Sequence, residues 1–251
     1  MYLKSHYQRY TDAKLATALG VERAQVKLWL EKIGAERTPE DEAAIRASAN
    51  TLPPVFQSMW PQPESRYTLR WPDYFLAACT ALTALVVYVM TLGPTITGED
   101  SGELVTAAYT LGIAHPPGYP IWCLLGKVFT FIPFGSVAWR VNFMSATFGA
   151  ATVYLLFTLT LKMTRNRFAA VAAGLAFAFS GEFWEQSVIA EVYTLNAFFI
   201  VSCCLLLLLW YEARSQRYLI AFAFVYGLSL SNHNTMNLLG PLLLTFVFVV
   251  D

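Results

Sequence analysis

The chain has 251 residues, of which 56% are hydrophobic, 15% aromatic and only 14% charged. Soluble domains carry roughly 25% charged residues, so this composition excludes a wholly water-soluble globule, and a net charge of zero excludes a global bias toward nucleic acid or acidic partners. Cys79, Cys123, Cys203 and Cys204 all lie in apolar runs, with no CxxC pair or neighbouring histidine, which points to small core residues and to neither a zinc centre nor a disulfide framework.

Residues 1–50 hold eight Lys or Arg and seven Asp or Glu, and they contain no apolar stretch of the kind a cleavable signal needs. Thr11 or Asp12 can cap a first helix through Leu19, which Gly20 ends. A second helix is predicted from Glu22 to Ile33, closing at Gly34, with Leu15, Leu19, Val21, Val26, Leu30 and Ile33 as the inner face. The unit resembles a helix-turn-helix DNA-binding head. Its near-balanced charge, however, favours a cytosolic appendage or protein-docking module over DNA. Residues 51–72 carry five prolines and read as a linker, with Trp60 and Trp71 suited to a membrane interface.

Residues 73–251 are expected to form the membrane domain. Tyr74 to Leu92 is an uncharged apolar run long enough to cross about 30 Å of hydrocarbon. Arg66 and Arg70 precede it, placing the N-terminus in the cytoplasm. Further apolar runs at about 121–134, 141–161, 168–180, 194–210, 218–230 and 236–250 give six to seven spans. One conflict arises in that count. If 121–134 and 141–161 both cross, the basic loop Lys162–Arg167 lands outside, against the charge rule; if 121–134 is peripheral, the loop lands inside. The fold class is therefore all-α, a polytopic transmembrane helical bundle with a small helix-turn-helix-like head. The run ending at Asp251 reads as the N-terminal portion of a longer protein.

Polar groups in such a bundle mark cavities, pairings or interfaces. The first cluster is Gly98-Glu99-Asp100-Ser101-Gly102-Glu103, directly after the first span. A helix beginning near Ser101 would bring Asp100 and Glu103 close together at i,i+3, where a carboxylate at a dry membrane boundary can act as a general base. The same acids could instead be helix caps in a solvated loop, or hold a divalent ion. The second cluster, His115-Pro116-Pro117-Gly118-Tyr119-Pro120, makes a rigid, non-helical lead into the next apolar run. Its histidine could bind a phosphate, orient a carboxylate or simply help to start a helix. Lys127 and Arg140 follow as cations in apolar surroundings, suited to pairing, snorkelling or a lipid phosphate. A third group comprises Glu182, Glu185 and Glu191, with Asn232-His233-Asn234 farther along the chain.

In order, the first span, GEDSGE, a short helix, LGIAHPPGYP, an apolar run and GSVAWRVNFMSA resemble the DUF2723 membrane family, a domain of unknown function that includes protein O-mannosyltransferase-like proteins. GEFWEQSVIAEVYTLNAFF and GLSLSNHNT extend the likeness, which covers roughly residues 72–251. A more distant similarity is to protein O-mannosyltransferases and aminoarabinose transferases of the GT-C superfold.

The resemblance implies a membrane glycosyltransferase that moves a sugar, mannose among the candidates, from a polyprenyl-phosphate donor to a protein or glycan hydroxyl, with inversion. It implies catalysis by Asp100, with Glu103 as alternative or helper. His115, Lys127 and Arg140 would steady the leaving phosphate, while Tyr119, Glu191 and His233 would line the cavity. The expected setting is a bacterial inner membrane with a periplasmic active site. A transporter or lipid-binding protein and a membrane-anchored DNA regulator are the alternatives. The many spans weigh against the regulator, and no internal repeat supports the transporter.

Overall fold

A computed structural model describes Asp12, Leu15, residues 23–32, Gly34 and residues 67–250. The chain divides into two compact units, Met1–Glu64 and Ser65–Val250. All regular structure among the described residues is helical.

In the first unit, α1 (Arg23–Lys32) corresponds to the second helix expected of the head. Leu15, Val26 and Leu30 are buried, and Gly34 turns the chain in the left-handed region at φ 63°. The rest of the head and linker residues 51–66 lie outside the described residues.

The second unit contains α2 (Trp71–Met90), α3 (Ser101–Thr110), α4 (Pro120–Phe129), α5 (Val137–Thr164), α6 (Arg167–Ala178), α7 (Gly181–Ser187), α8 (Tyr193–Ala213), α9 (Gln216–Ser229) and α10 (Thr235–Val250). α2, α5 and α8, of 20, 28 and 21 residues, are long and apolar enough to cross a membrane. The apolar runs at 121–134, 168–180, 218–230 and 236–250 give helices of 10, 12, 14 and 16 residues, short of that length.

Long-range bonds fix the order of the bundle. α2 and α5 are antiparallel: Asn142, near the start of α5, donates to the Gly93 and Thr95 carbonyls after α2. At their other ends Lys162 donates to the Tyr67 carbonyl. α6 begins where Arg167 pairs with Asp73 at 2.6 Å, and it ends where the Tyr88 hydroxyl donates to the Ala178 carbonyl. α8 returns to pair Glu212 with Lys162 at 2.7 Å. α9 leads back to Asn232, which donates to the Val192 carbonyl, and α10 returns to Val250, whose carbonyl accepts from Arg214.

The chain thus passes between the two ends six times, while α3 and α4 stay at one of them. The Lys162–Arg167 loop shares an end with Tyr67–Asp73. That placement resolves the topological conflict in favour of a peripheral 121–134 segment.

Every Lys, Arg, Asp and Glu of residues 67–250 lies at one of these two ends. One end holds Arg70, Lys162, Arg165, Arg167, Arg214 and Arg217 against Asp73 and Glu212. The other holds Glu99, Asp100, Glu103, Glu182, Glu185 and Glu191 against Lys127 and Arg140. The ends therefore carry opposite net charges of four.

α5 is the central helix, and its small residues let neighbours approach. A Cβ on Gly149 would lie 2.7 Å from the Ser187 hydroxyl and 3.2 Å from the Tyr88 ring. At the acidic end, α3 and α4 cover α5 and α8 through a core of Leu104, Ala108, Trp122, Val141, Met144 and Leu195.

Candidate active site

α3 begins at Ser101, which makes Asp100 its N-cap residue and sets Glu103 in its first turn. Asp100 makes no side-chain cap hydrogen bond. Its carboxylate, 59% exposed, is thus not taken up by the helix end, and the capping alternative does not apply to it.

α3 closes at Leu111 in the left-handed conformation, and the proline-rich segment then returns His115 to the start of α3. The main-chain N–H of His115 donates to Glu103 Oε1 at 2.5 Å, and its ring Nδ1 lies 3.1 Å from Glu103 Oε2. These bonds hold the Glu103 carboxyl below its usual range. A carboxylate only accepts, so the proton sits on Nδ1, and in the neutral ring Nε2 is the acceptor. The Tyr119 hydroxyl lies 3.0 Å from Nε2, and Asp100 Oδ2 lies 3.7 Å from the same nitrogen.

Tyr119 is the N-cap residue of α4, held at φ 47°. Its ring stacks on His233 at 6.4 Å with an 8° interplanar angle, and Tyr193 tilts against His233 at 5.5 Å. Burial holds the His233 pKa below its ordinary value, which favours the neutral ring. Residues from four stretches of sequence, near 100, 115, 193 and 233, thus meet at one place.

Glu191 is 3% exposed in the turn between α7 and α8. Its carbonyl accepts from Trp122 Nε1 at 3.0 Å, and its N–H and carbonyl both meet the Ser145 hydroxyl at 3.4 Å. The Val192 and Asp100 backbone N–H groups face the carboxylate and lower its pKa in part, while Oε1 has no hydrogen-bond partner. Burial, reinforced by Glu99 and Asp100, pushes this carboxyl up to about 7. A cavity of about 650 Å³ opens beside Asp100, lined also by Glu99, Glu182, Phe183, Gln186 and Tyr193.

The two expected cations are engaged elsewhere. Lys127 Nζ donates to the Tyr109 carbonyl at the end of α3 at 2.5 Å and sits 4.9 Å from the Tyr109 ring centroid. Arg140 donates to the Phe134 and Thr130 carbonyls after α4. The structure therefore joins Asp100, Glu103, His115, Tyr119 and His233, sets Glu191 beside Asp100, and gives Lys127 and Arg140 to helix-end carbonyls.

Sequence reasoning passed over Glu99, Gln186, Tyr193 and the two anchors Trp122 and Ser145. Glu99 had a signal, as part of the acidic run; Trp122 and Ser145 look like ordinary apolar-run residues. Asp100, Glu103 and His115 each offer a ligand atom, all within 4.8 Å of one another, so this is where a divalent cation could be held.

The family model of the protein O-mannosyl-transferase TMEM260 N-terminal domain matches residues 100–251, which include these site residues except Glu99. A Mus musculus protein named protein O-mannosyl-transferase TMEM260 is 41% identical over 173 residues, covering 66% of this chain and 25% of the relative. A Dictyostelium discoideum protein of the same name is 33% identical over 183 residues, covering 64% of this chain and 22% of the relative. The matched region thus spans about a quarter of the length of these curated relatives. Both are eukaryotic, so they lend nothing to a bacterial inner membrane. No solved structure matches the chain significantly.

Proposed function

The chain belongs to the protein O-mannosyl-transferase TMEM260 N-terminal domain family, and from that premise we propose that it carries the acceptor-activating part of a membrane mannosyltransferase of GT-C type. The donor in this reading is a polyprenyl-phosphate mannose, and the acceptor is a hydroxyl on a protein. The observation that carries it is the uncapped Asp100 carboxylate, set between the Glu103–His115–Tyr119 network and the 650 Å³ cavity.

Asp100 takes the proton of the acceptor hydroxyl while that oxygen bonds to the anomeric carbon from the face opposite the leaving group. The bond between that carbon and the phosphate oxygen breaks, the phosphate leaves with the electron pair, and configuration inverts. Glu103 acts through His115, fixing its ring so that Nε2 stands beside Asp100. Negative charge grows on the departing phosphate; Lys127 and Arg140, the cations of this end, would have to leave the Tyr109, Thr130 and Phe134 carbonyls to steady it. Tyr119 and His233 stack behind His115, and Glu191 lies beside Asp100; none of the three lines the cavity.

The charge segregation supports an orientation. Basic loops stay in the cytoplasm, so the Arg70–Arg167 end would be cytoplasmic and the acidic end would open on the opposite side, the lumen in a eukaryotic secretory membrane.

The direct test is sugar transfer by the full-length parent protein in membranes, following radiolabel out of mannosyl polyprenyl phosphate. Loss of transfer in Asp100→Asn, with insertion intact, supports the assignment. Full activity in that variant removes Asp100 as the base.

A further inference from the structure

The cavity beside Asp100 is lined by three carboxylates, those of Glu99, Asp100 and Glu182, and among the described residues no Lys or Arg lines it. The two cations of this end lie elsewhere, with Lys127 on the Tyr109 carbonyl and Arg140 on those of Thr130 and Phe134. The ring of His115, 3.7 Å from Asp100, is already bound to Glu103. The fourth polar wall is Gln186, which turns Nε2 toward Glu99 Oε2 at 3.5 Å and leaves Oε1 without a partner. The lining is therefore rich in acceptors, poor in donors and negative throughout.

The residues behind the lining point the same way. Glu191, 3% exposed, lies within electrostatic reach of Glu99, Asp100 and Tyr193, and its Oε1 has no hydrogen-bond partner. Such a field repels a phosphate, so the anionic donor is not the molecule this cavity suits. It suits a group that brings N–H donors and positive charge together, an ammonium with three donors or a guanidinium with five. The apolar part of the wall serves the same guest. Tyr193, 46% exposed, offers a ring face to a cation, and Phe183 and Phe177 offer surface to an aliphatic stem.

We propose that this cavity receives the acceptor polypeptide and selects a Ser or Thr that has a Lys or Arg within about three residues of it. A sphere of the cavity's volume is about 11 Å across, roughly three residues of extended chain. The hydroxyl then meets Asp100 while the basic side chain meets Glu99 and Glu182. This inference rests on the reading of Asp100 as the acceptor's base.

The test uses the full-length parent protein in nanodiscs and two fluorescent peptides. Each has one central Ser among neutral residues, with either Lys or Glu two positions away. Binding is read by anisotropy, and transfer by radiolabel from mannosyl polyprenyl phosphate. At low salt the Lys peptide should bind on the order of tenfold more tightly than the Glu peptide. Glu99→Gln/Glu182→Gln should bring the two to within about twofold, and Glu99→Lys/Glu182→Lys should reverse their order. Equal binding or none by the wild type, or an unchanged preference in the Gln variant, overturns the proposal.

The two readings fail separately. A charge preference in binding without transfer supports the cationic partner and counts against mannosyl transfer to these peptides. Transfer without a charge preference keeps the transferase and overturns the acceptor class. If the Gln variant does not fold, zero-length carbodiimide coupling on the wild type decides. Peptide mapping should find the Lys amine joined to Glu99, Asp100 or Glu182; coupling only at acids outside the cavity overturns the proposal.

Discussion

Glu103 holds His115 at two points, the ring Nδ1 at 3.1 Å and the main-chain N–H at 2.5 Å, so one carboxylate fixes both the position and the tautomer of the histidine. Asp100, three residues earlier, is left with a side chain that neither caps α3 nor closes a hydrogen bond to that ring, 3.7 Å away. The two acids of one helical turn therefore have different duties.

Asp100→Asn and Glu103→Gln should consequently differ in kind. Removing a general base costs about 10²–10⁴-fold in rate, so Asp100→Asn should lower kcat by that order with little change in KM. Glu103→Gln keeps a hydrogen-bonding side chain beside His115 but loses its charge. It should cost less, on the order of tenfold, and shift the pH profile of transfer. Steady-state kinetics of the full-length protein in membranes checks both outcomes.

Glu191 should make stability depend on pH. Its carboxyl titrates near 7 in the folded chain against an ordinary value of 4.5. The folded state therefore keeps a proton that the unfolded chain loses. Stability from this group is complete below pH 4.5 and is lost as pH rises through 7, by at most about 3 kcal/mol. Thermal unfolding in detergent at pH 5 and pH 8 should show a lower Tm at pH 8, and Glu191→Gln should shrink that difference.

Gly126 sits where α3 and α4 come closest. A Cβ there would lie 2.7 Å from Ala108 Cβ, which cannot swing aside. Gly126→Ala should destabilise by about 1–3 kcal/mol through overpacking, read as a lower Tm. Because α3 and α4 carry Asp100 and Tyr119 to His115, transfer should also fall, even though no site residue has changed.

Lys162 and Glu212 form a buried ion pair, with side chains 6% and 13% exposed. Lys162→Met leaves an unpaired buried carboxylate and should cost about 3–5 kcal/mol. Lys162→Met/Glu212→Leu should regain most of that loss. A double-mutant cycle on unfolding free energies checks it.

The two ends should also be separable by labelling. Single cysteines at Glu182 and Arg217, placed in a variant whose native cysteines are replaced, should react with an impermeant maleimide from opposite faces of sealed vesicles. Labelling of both from one face would contradict the six passages described for the bundle.

Much of this was legible beforehand. The run 74–92 became α2, Ser101 opened α3 as the spacing of Asp100 and Glu103 required, and HPPGYP stayed non-helical up to Pro120. Those features are local, set by apolar length, capping and proline. The behaviour of 121–134 was not legible, because an apolar run reads alike whether it crosses a membrane or rests at one end. The helix stops at Phe129, and Pro133 disfavours helix in the residue before it. The approach of Glu191 to Asp100 was hidden for another reason: it depends on Trp122 and Ser145, whose side chains point to no chemistry until the helices are packed. Lys127 and Arg140 show the reverse, a chemical signal taken up by helix-end carbonyls.

Taken as formal charges, the four excess positives at one end and four excess negatives at the other polarise the bundle along its helices. Each elementary charge carried across 100 mV is worth about 2.3 kcal/mol. In a membrane held at 100 mV, cytoplasm negative, turning the bundle over would move the formal charges of both ends, a difference on the order of 18 kcal/mol. In the orientation proposed above, such a voltage would favour the basic end on the cytoplasmic side.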